Sequence, residues 1–583
     1  MRSRFTDGID IKRRAPARSA LFQSWTAVTT LVGAALLVGC GGNVGSTTQC
    51  PASEPECPDY VAPSADAGLA ADGGAPDAGF IPDAGSGGGS LPFTPLHTYY
   101  ISPTGLDSND GTSGSPWKTP NHAVNCGDVI IAAAGTYGGS SSPFGTNNRG
   151  LVSNCPSTSG GTDGSGGIYF AILLCAGPEL RSCSVTNSGG EAFRVDESNW
   201  AVEGFSATSG AQACFTATSE SSATLHHIAF INNVASGCQN AGFDSYSWQS
   251  SGGGVDQTAV VGAIAFNGAQ TSSLCGSGVS LIPNDGPDSS PGTHIFAAGM
   301  FSYANVNGAN CAGGGNAGSG TTDGEGYILD SWACGQFTHQ GALEQSVFWS
   351  NGSAGLEIFP NCTMTNDQSD VYVTGVTSFG NYQDPSHTGA ANGELLFNDL
   401  TPSSSAIKSV TNSIFEATQA TPGGAIQTVN YGYPVYGFQA GTNNASTAFT
   451  IVSENFIWNA HAPTTTTFGG SNTNVYLGGS LDTSSFPFGT NTYDTPGFAN
   501  PAALPTTAPN CLGQTNTTAC MAAAGVIADL TPSGGAAEAG YQPPTTCAAD
   551  PYYPTWLKGV VYLAVSSSSI VETHGLITKP CGM

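Results

Sequence analysis

The chain has 583 residues, of which 80 are glycine and only 9% are charged. Its 13 Lys and Arg stand against 41 Asp and Glu, a formal net charge of −28. That balance excludes a surface built for nucleic acid or anionic lipid. The glycine-rich, weakly charged composition argues against a helical bundle and for short strands separated by many turns.

Residues 1–39 read as an export signal. Arg2, Arg4, Lys12, Arg13, Arg14 and Arg18 precede an apolar run over 27–38 that is short for a bilayer span. The run ends in Leu37, Val38, Gly39 and Cys40. This resembles the lipobox of bacterial lipoproteins. The resemblance implies cleavage before Cys40, a lipid on its thiol, and contact with membrane through that anchor alone, at the outer membrane or cell surface. An ordinary secretory peptide is the alternative. Six basic residues and two acidic ones, Asp7 and Asp10, leave with the signal, so 7 basic and 39 acidic remain, a net charge of −32.

Residues 40–90 form a tether. Asp-Ala-Gly recurs at 66–68, 77–79 and 83–85, and the segment holds no Lys or Arg. It cannot bury apolar surface, so disorder is expected. Fifty such residues reach about 40 Å, further where carboxylates repel.

Residues 91–545 repeat a pattern: a short apolar run ends at Phe, and Asn often follows. Phe230, Phe266, Phe301, Phe348, Phe379, Phe415 and Phe456 mark it, with Asn232, Asn233, Asn267, Asn305, Asn351, Asn381 and Asn459 behind. A second run recurs after each, as at Phe243, Val279, Tyr327 and Leu356. A lone strand cannot bury its apolar face, whereas stacked coils build a continuous core. The pattern therefore predicts an all-β solenoid in which each Phe packs on the next and turn asparagines ladder between coils. A β-sandwich or propeller is the competing architecture. Residues 546–583 are read as a C-terminal cap or tail.

Cys40 aside, 16 cysteines remain in a chain bound for an oxidising space. In a solenoid contacts are local, so sequential pairing is expected: Cys50 with Cys57, Cys126 with Cys155, Cys175 with Cys183, Cys214 with Cys238. Likewise Cys275 pairs with Cys311, Cys334 with Cys362, Cys511 with Cys520, and Cys547 with Cys581. The C-x-x-C spacing of a zinc site is absent.

Tyr99-Tyr-Ile-Ser-Pro-Thr-Gly105, Asp107 to Gly111 and Ser115-Pro-Trp-Lys118 resemble the opening of pectate-lyase-like proteins. Asp323-Gly-Glu-Gly-Tyr-Ile-Leu-Asp330 and Gly355-Leu-Glu-Ile-Phe359 are similar to a central block of bacterial right-handed β-helix repeat proteins. Asp494 to Phe498 and Leu530 to Pro532 resemble their closing segments. The resemblance spans about residues 97–545. It implies a right-handed parallel β-helix and a polysaccharide partner.

Strand alternation then sets directions. With Phe243, Tyr327 and Leu356 inward, Asp244, Tyr246, Asp330, Glu357 and Phe359 face outward on one sheet, with Trp248 and Trp332 just beyond. Acids beside aromatics suit sugar: aromatic faces take the apolar side of a ring and carboxylates accept hydroxyl hydrogen bonds. Lyases of this fold use a Lys or Arg base with Ca²⁺ or a cation on the uronate carboxylate. Here no Lys or Arg occurs between Arg194 and Lys408, so Arg194 or Lys408 would have to reach in from an adjoining coil, with His339, His387 and Tyr372 as substitutes. Glycoside hydrolysis by Asp330 and Glu357 is the second reading, and a non-catalytic carbohydrate-binding or structural surface protein the third. Asp323, Glu325, Asp330 and Glu357 are the candidate ligands for Ca²⁺. A monomer is expected.

Overall fold

A computed structural model describes residues 94–557 apart from intervals within that range, the longer of which are 157–167, 307–323, 419–432, 439–450, 460–474, 478–490 and 534–549. Cys40, the tether, Trp248, Asp323, Trp332 and His387 lie outside the described residues. So do Cys50, Cys57, Cys275, Cys311, Cys334, Cys362, Cys547 and Cys581.

Each coil carries three short strands, and each strand pairs in parallel with its counterpart one coil on. Trp200–Glu203, Phe205–Thr208 and Phe215–Ser219 make one coil, and Ile228–Ile231 begins the next beside Trp200–Glu203. Repetition builds three sheets. Among the described residues, sheet 1 has eleven strands, from Thr98–Ile101 to Ile451–Ser453; sheet 2 has ten, from Gly135–Gly138 to Phe456–Asn459; sheet 3 has ten, from Phe144–Thr146 to Val475–Leu477. This is a parallel β-helix, as the repeat predicts.

The corner from sheet 1 to sheet 2 explains the repeat chemically. One residue per coil takes a left-handed backbone there: Gly204, Asn232, Gly262, Gly299, Gln345, Gly375, Asn412 and Glu454, with φ between 44° and 79°. Glycine accepts this conformation without strain and asparagine tolerates it. Asparagines hold together the next corner, from sheet 2 to sheet 3. Asn305 Nδ2 donates to Asn351 Oδ1 at 2.9 Å, and Asn351 Nδ2 to Asn381 Oδ1 at 2.9 Å. Asn381 in turn donates to the buried carboxylate of Glu394, which also accepts from Ser378 Oγ at 2.8 Å. The expected asparagine ladder is present and ends on an acid.

The phenylalanine series divides. Phe230, Phe348 and Phe415 enter the interior, while Phe266, Phe301, Phe379 and Phe456 lie on the outer face of sheet 2. Inside, the continuous stack is Phe144, Phe193, Phe215 and Phe243, with centroids 4.9–5.6 Å apart. Sheet 2 is apolar on both faces, which erases the alternation that reports direction.

The outer apolar face of sheet 2 has a cover. The chain runs back along it, against the advance of the coils. Phe498 meets Phe379 edge-on at 5.5 Å, Pro505 O accepts from Trp349 Nε1 at 2.8 Å, and Thr507 O accepts from Tyr303 Oη at 3.0 Å. Helix Thr517–Ala523, capped by Asn516, then reaches Asn232, whose Oδ1 accepts from Thr517 N at 2.7 Å. Residues 550–557 pack in the same manner on the outer face of sheet 1. Among the described residues no helix is long and apolar enough to cross a membrane.

Among the described residues four disulfides fall as the spacing predicts: Cys126–Cys155, Cys175–Cys183, Cys214–Cys238 and Cys511–Cys520. The opening motif also has a physical role. Asp107 Oδ1 accepts from Lys118 N and from Thr119 N and Oγ1, and Trp117 is stacked between Tyr99 and His122 at 4.7 and 3.9 Å. A Cβ at Gly111 would lie 2.5 Å from the Trp117 ring.

Candidate functional site

Register assigns the outer face of sheet 3 residue by residue. Phe215 pairs with Phe193 and Phe243 and all three point inward, so the next residues point outward. Arg194, Thr216 and Asp244 thus lie side by side on three successive strands. Two residues on, Thr218 lies beside Tyr246, and continuation of the register brings Asp196 beside Thr218. These six side chains form a polar grid about 10 Å by 7 Å, from the inter-strand spacing and the rise per residue.

The grid is tied by charge and hydrogen bonds. Arg194 Nε lies 3.8 Å from Asp196 Oδ2. Tyr246 Oη donates to Glu191 Oε1 at 3.1 Å. Burial, with the charges of Glu191 and Asp244 adding to it, pushes the Tyr246 phenol well above its usual range, so it stays a donor. Thr216 and Thr218 are fully buried, and their hydroxyls have no protein hydrogen-bond partner. A buried hydroxyl without a partner is costly, and in native proteins water or a ligand completes it.

The sequence-predicted residues divide around this grid. Arg194, expected to reach in from an adjoining coil, is on the same outward row as Asp244. Further along the sheet, Ile328 pairs with Glu357 and Asp330 with Phe359. Asp330 and Glu357 therefore occupy adjacent strands on a diagonal, about 8 Å between Cα atoms by sheet geometry. The acids face outward but are not solvated: Asp244 is 5% exposed, Asp330 1% and Glu357 6%. Alternation gives the direction of a side chain and says nothing of what closes over it.

Of the candidate calcium ligands, Asp323 lies outside the described residues, and Glu325, Asp330 and Glu357 are not grouped. Glu325 turns into the corner, where its Oε2 accepts from Ser277 Oγ at 2.6 Å and Gly324 N at 3.1 Å. Ile328 and Phe359 alternate with Asp330 and Glu357 on the outer rows. Among the described residues no three His, Cys, Asp or Glu are grouped to hold a metal.

Tyr372 is on the outer face of sheet 1, stacked on Tyr552 at 4.5 Å, and so does not serve this face. His339 lies at the corner from sheet 3 into sheet 1. Its Nδ1 is 2.8 Å from Asp285 Oδ1, and its ring stacks on His294 at 3.7 Å. His294 Nδ1 is in turn 2.8 Å from Asp256 Oδ1. His294 sits at a register shift between Thr293 and Ile295, a bulge that re-aims its ring. Sequence reading missed Glu191, Asp196, Thr216 and Thr218. Their signal, polar residues at the outward positions next to Phe193 and Phe215, was present but carried no motif.

No family model matches the chain, and no curated protein matches it. Solved structures do. A crystal structure of pectate lyase Pel9A is similar at 13% identity and a TM-score of 0.40, covering 73% of this chain and 88% of that one. A rhamnogalacturonan lyase is similar at 14% identity and a TM-score of 0.33, covering 72% and 94%. The functional reading rests on the side chains above, not on these likenesses.

Proposed function

We propose that the chain is an exported, envelope-anchored β-helix protein that engages extracellular polysaccharide on the outer face of sheet 3. The observation that carries this is the pair of buried, unpartnered hydroxyls of Thr216 and Thr218 amid Arg194, Asp196, Asp244 and Tyr246. Sugar hydroxyls both donate and accept, so they complete such groups where an apolar ligand cannot. Three carboxylates, with Glu191, surround one guanidinium, so neutral or methyl-esterified chains are favoured over polyuronates. The anchor rests on Leu37 to Cys40.

Affinity electrophoresis through gels of neutral, esterified and fully charged polysaccharide tests the reading. Retardation is expected in the first two and lost in Tyr246→Ala. No retardation in any gel, or retardation indifferent to this variant, removes it. Cys40→Ala is expected to release the protein from the membrane fraction.

A second reading, glycoside hydrolysis, is favoured by the adjacent carboxylates of Asp330 and Glu357. It requires new reducing ends that vanish in both Asp330→Asn and Glu357→Gln. An unsaturated, ultraviolet-absorbing product that depends on Arg194 would favour a lyase instead. Binding without bond cleavage leaves a carbohydrate-binding surface protein.

A further inference from the structure

The C-terminal segment 550–557 meets sheet 1 over a group of histidines. Trp556 Nε1 donates to Thr293 O at 2.9 Å, and the indole stands edge-on to the His227 ring at 5.7 Å. The His227 ring is stacked on Tyr169, of the coil before, at 4.5 Å and an interplanar angle of 3°. His227 Nδ1 lies 2.8 Å from Nδ1 of His226, while its Nε2 is buried without a hydrogen-bond partner. The residue has a left-handed backbone, φ 56°, as do Asn199 and Gln257 at the same position of the neighbouring coils.

A hydrogen bond between two Nδ1 atoms needs one that carries hydrogen and one that does not. The neutral pair supplies both. One added proton keeps that bond but puts hydrogen on both Nε2 atoms, so His227 buries a donor without an acceptor. A second proton puts hydrogen on both Nδ1 atoms, and attraction becomes repulsion between two buried charges. The groups facing His227 do not offset this. They are His226 beside it, the Tyr169 ring from the coil before, the uncharged Trp556 indole from the segment, and His294 from the coil after. The nearby acids are engaged elsewhere: Asp256 Oδ1 is 2.8 Å from His294 Nδ1, and Asp285 Oδ1 is 2.8 Å from Nδ1 of His339, whose ring stacks on His294.

We propose that the His226–His227 pair is an acid-operated release for the C-terminal segment: the neutral pair seats Trp556 on sheet 1, and the charged pair breaks its own N–N bond and frees segment 550–557. The direction of titration agrees. Burial first, then His226 and His294, hold the His227 ring well below its ordinary value of 6.5. A base depressed in the folded state contributes fully above its unfolded value and loses that contribution as pH falls below it. The segment is therefore held at neutral and alkaline pH and released in acid. Release bares an apolar strip that includes Ala229, Ala259, Phe296 and Ala342, now packed with Trp556 and Leu557.

Hydrogen exchange on the full chain, with a chelator present and rates corrected for intrinsic pH dependence, tests this. From about pH 8 down to about pH 5, protection of the peptide spanning 550–557 should fall by about tenfold or more, while the peptide carrying Val234–Ser236, in sheet 2, keeps its protection. His227→Gln puts at this corner the residue type that the next coil carries at Gln257, so it should hold the segment equally at both ends of the range. His226→Gln removes the second charge and leaves the contacts of His227 with Tyr169 and Trp556 in place. It should likewise hold the segment, and it repeats the test should His227→Gln loosen the segment already at pH 8. Equal protection at both ends of the range in the unaltered chain overturns the release. So does a loss in both variants equal to that of the unaltered chain, which would assign the effect to His294 and His339.

Discussion

The outer faces of sheets 2 and 3 are built on the same coils with the same backbone, yet they carry opposite chemistry. On sheet 2 the outward row is Phe266, Tyr303, Trp349 and Phe379, in register, with the first three stacked at 5.3 and 4.2 Å. Its two polar atoms, Tyr303 Oη and Trp349 Nε1, each donate to a backbone carbonyl of the returning chain. On sheet 3 the corresponding row is Arg194, Thr216 and Asp244, and its hydroxyl has no protein partner. A parallel solenoid must cover its outer faces or spend them on polar groups. The first solution adds stability, and the second leaves hydrogen-bonding capacity for something else.

The largest expected effect is on the covered face. Trp349→Ala removes a fully buried indole, its stacking on Tyr303 and the bond to Pro505 O. A loss of about 3–5 kcal/mol in denaturant unfolding is expected. A loss below about 1 kcal/mol would mean that the returning chain packs on sheet 2 without stabilising it.

Next comes pH. Burial pushes the Glu394 carboxyl up to about 8, and burial likewise pushes Glu416, on the outer row of sheet 2, up to about 7. Both folded values exceed the unfolded value near 4.5. Their contribution is therefore full below about pH 4.5 and is lost as pH rises through about 7 to 8. A fall on the order of a few kcal/mol across that window is expected. Glu394→Gln should flatten much of the slope in a melting-temperature series. An unchanged slope would show that the asparagine ladder does not end on a protonated acid.

Smaller again is the clasp on the returning chain. Cys511→Ala with Cys520→Ala opens a loop closed across a separation of 9 residues. By the chain-entropy estimate this costs about 2–3 kcal/mol, read by calorimetry. Polysaccharide binding on sheet 3 should not change. A loss of binding would couple the two faces that the structure keeps apart.

How much of this was legible in the sequence follows from the same contrast. The second run of each coil alternates cleanly: Phe243, Asp244, Ser245 and Tyr246 declare which side is out, and register agrees. The Phe-Asn run does not, because sheet 2 is apolar on both sides, and Phe266 and Phe348 look alike though one is outside and the other inside. Corner chemistry was legible where Asn followed the strand, but Gln345 and Glu454 take the same left-handed position without the residue type that signals it. Local disulfides were legible because solenoid contacts are local. That Glu325 lies in the turn entering the sheet was legible, but not that Ser277 Oγ and Gly324 N donate to its carboxylate there. The return of residues 550–557 onto sheet 1 was not legible at all, since a chain that doubles back leaves no period.

The smallest expected change in stability is the sharpest test of function. Thr216→Val keeps the shape of a fully buried side chain and removes a hydroxyl that has no protein partner. Removing an unsatisfied buried polar group is nearly neutral or stabilising, so the change should stay within about 1 kcal/mol. If the hydroxyl serves only folding, the variant should bind polysaccharide as before. If it completes a bond to sugar, binding should weaken by about tenfold, the worth of one hydrogen bond of ordinary strength. Thr218→Val, one position further on the adjoining row, should behave alike, and the double variant should lose about the sum if each contacts the ligand separately. Stability held constant while binding falls in both would assign the outer face of sheet 3 to the ligand. Stability falling by several kcal/mol with binding intact would assign those hydroxyls to buried water, and the two faces would then differ only in how the protein satisfies itself.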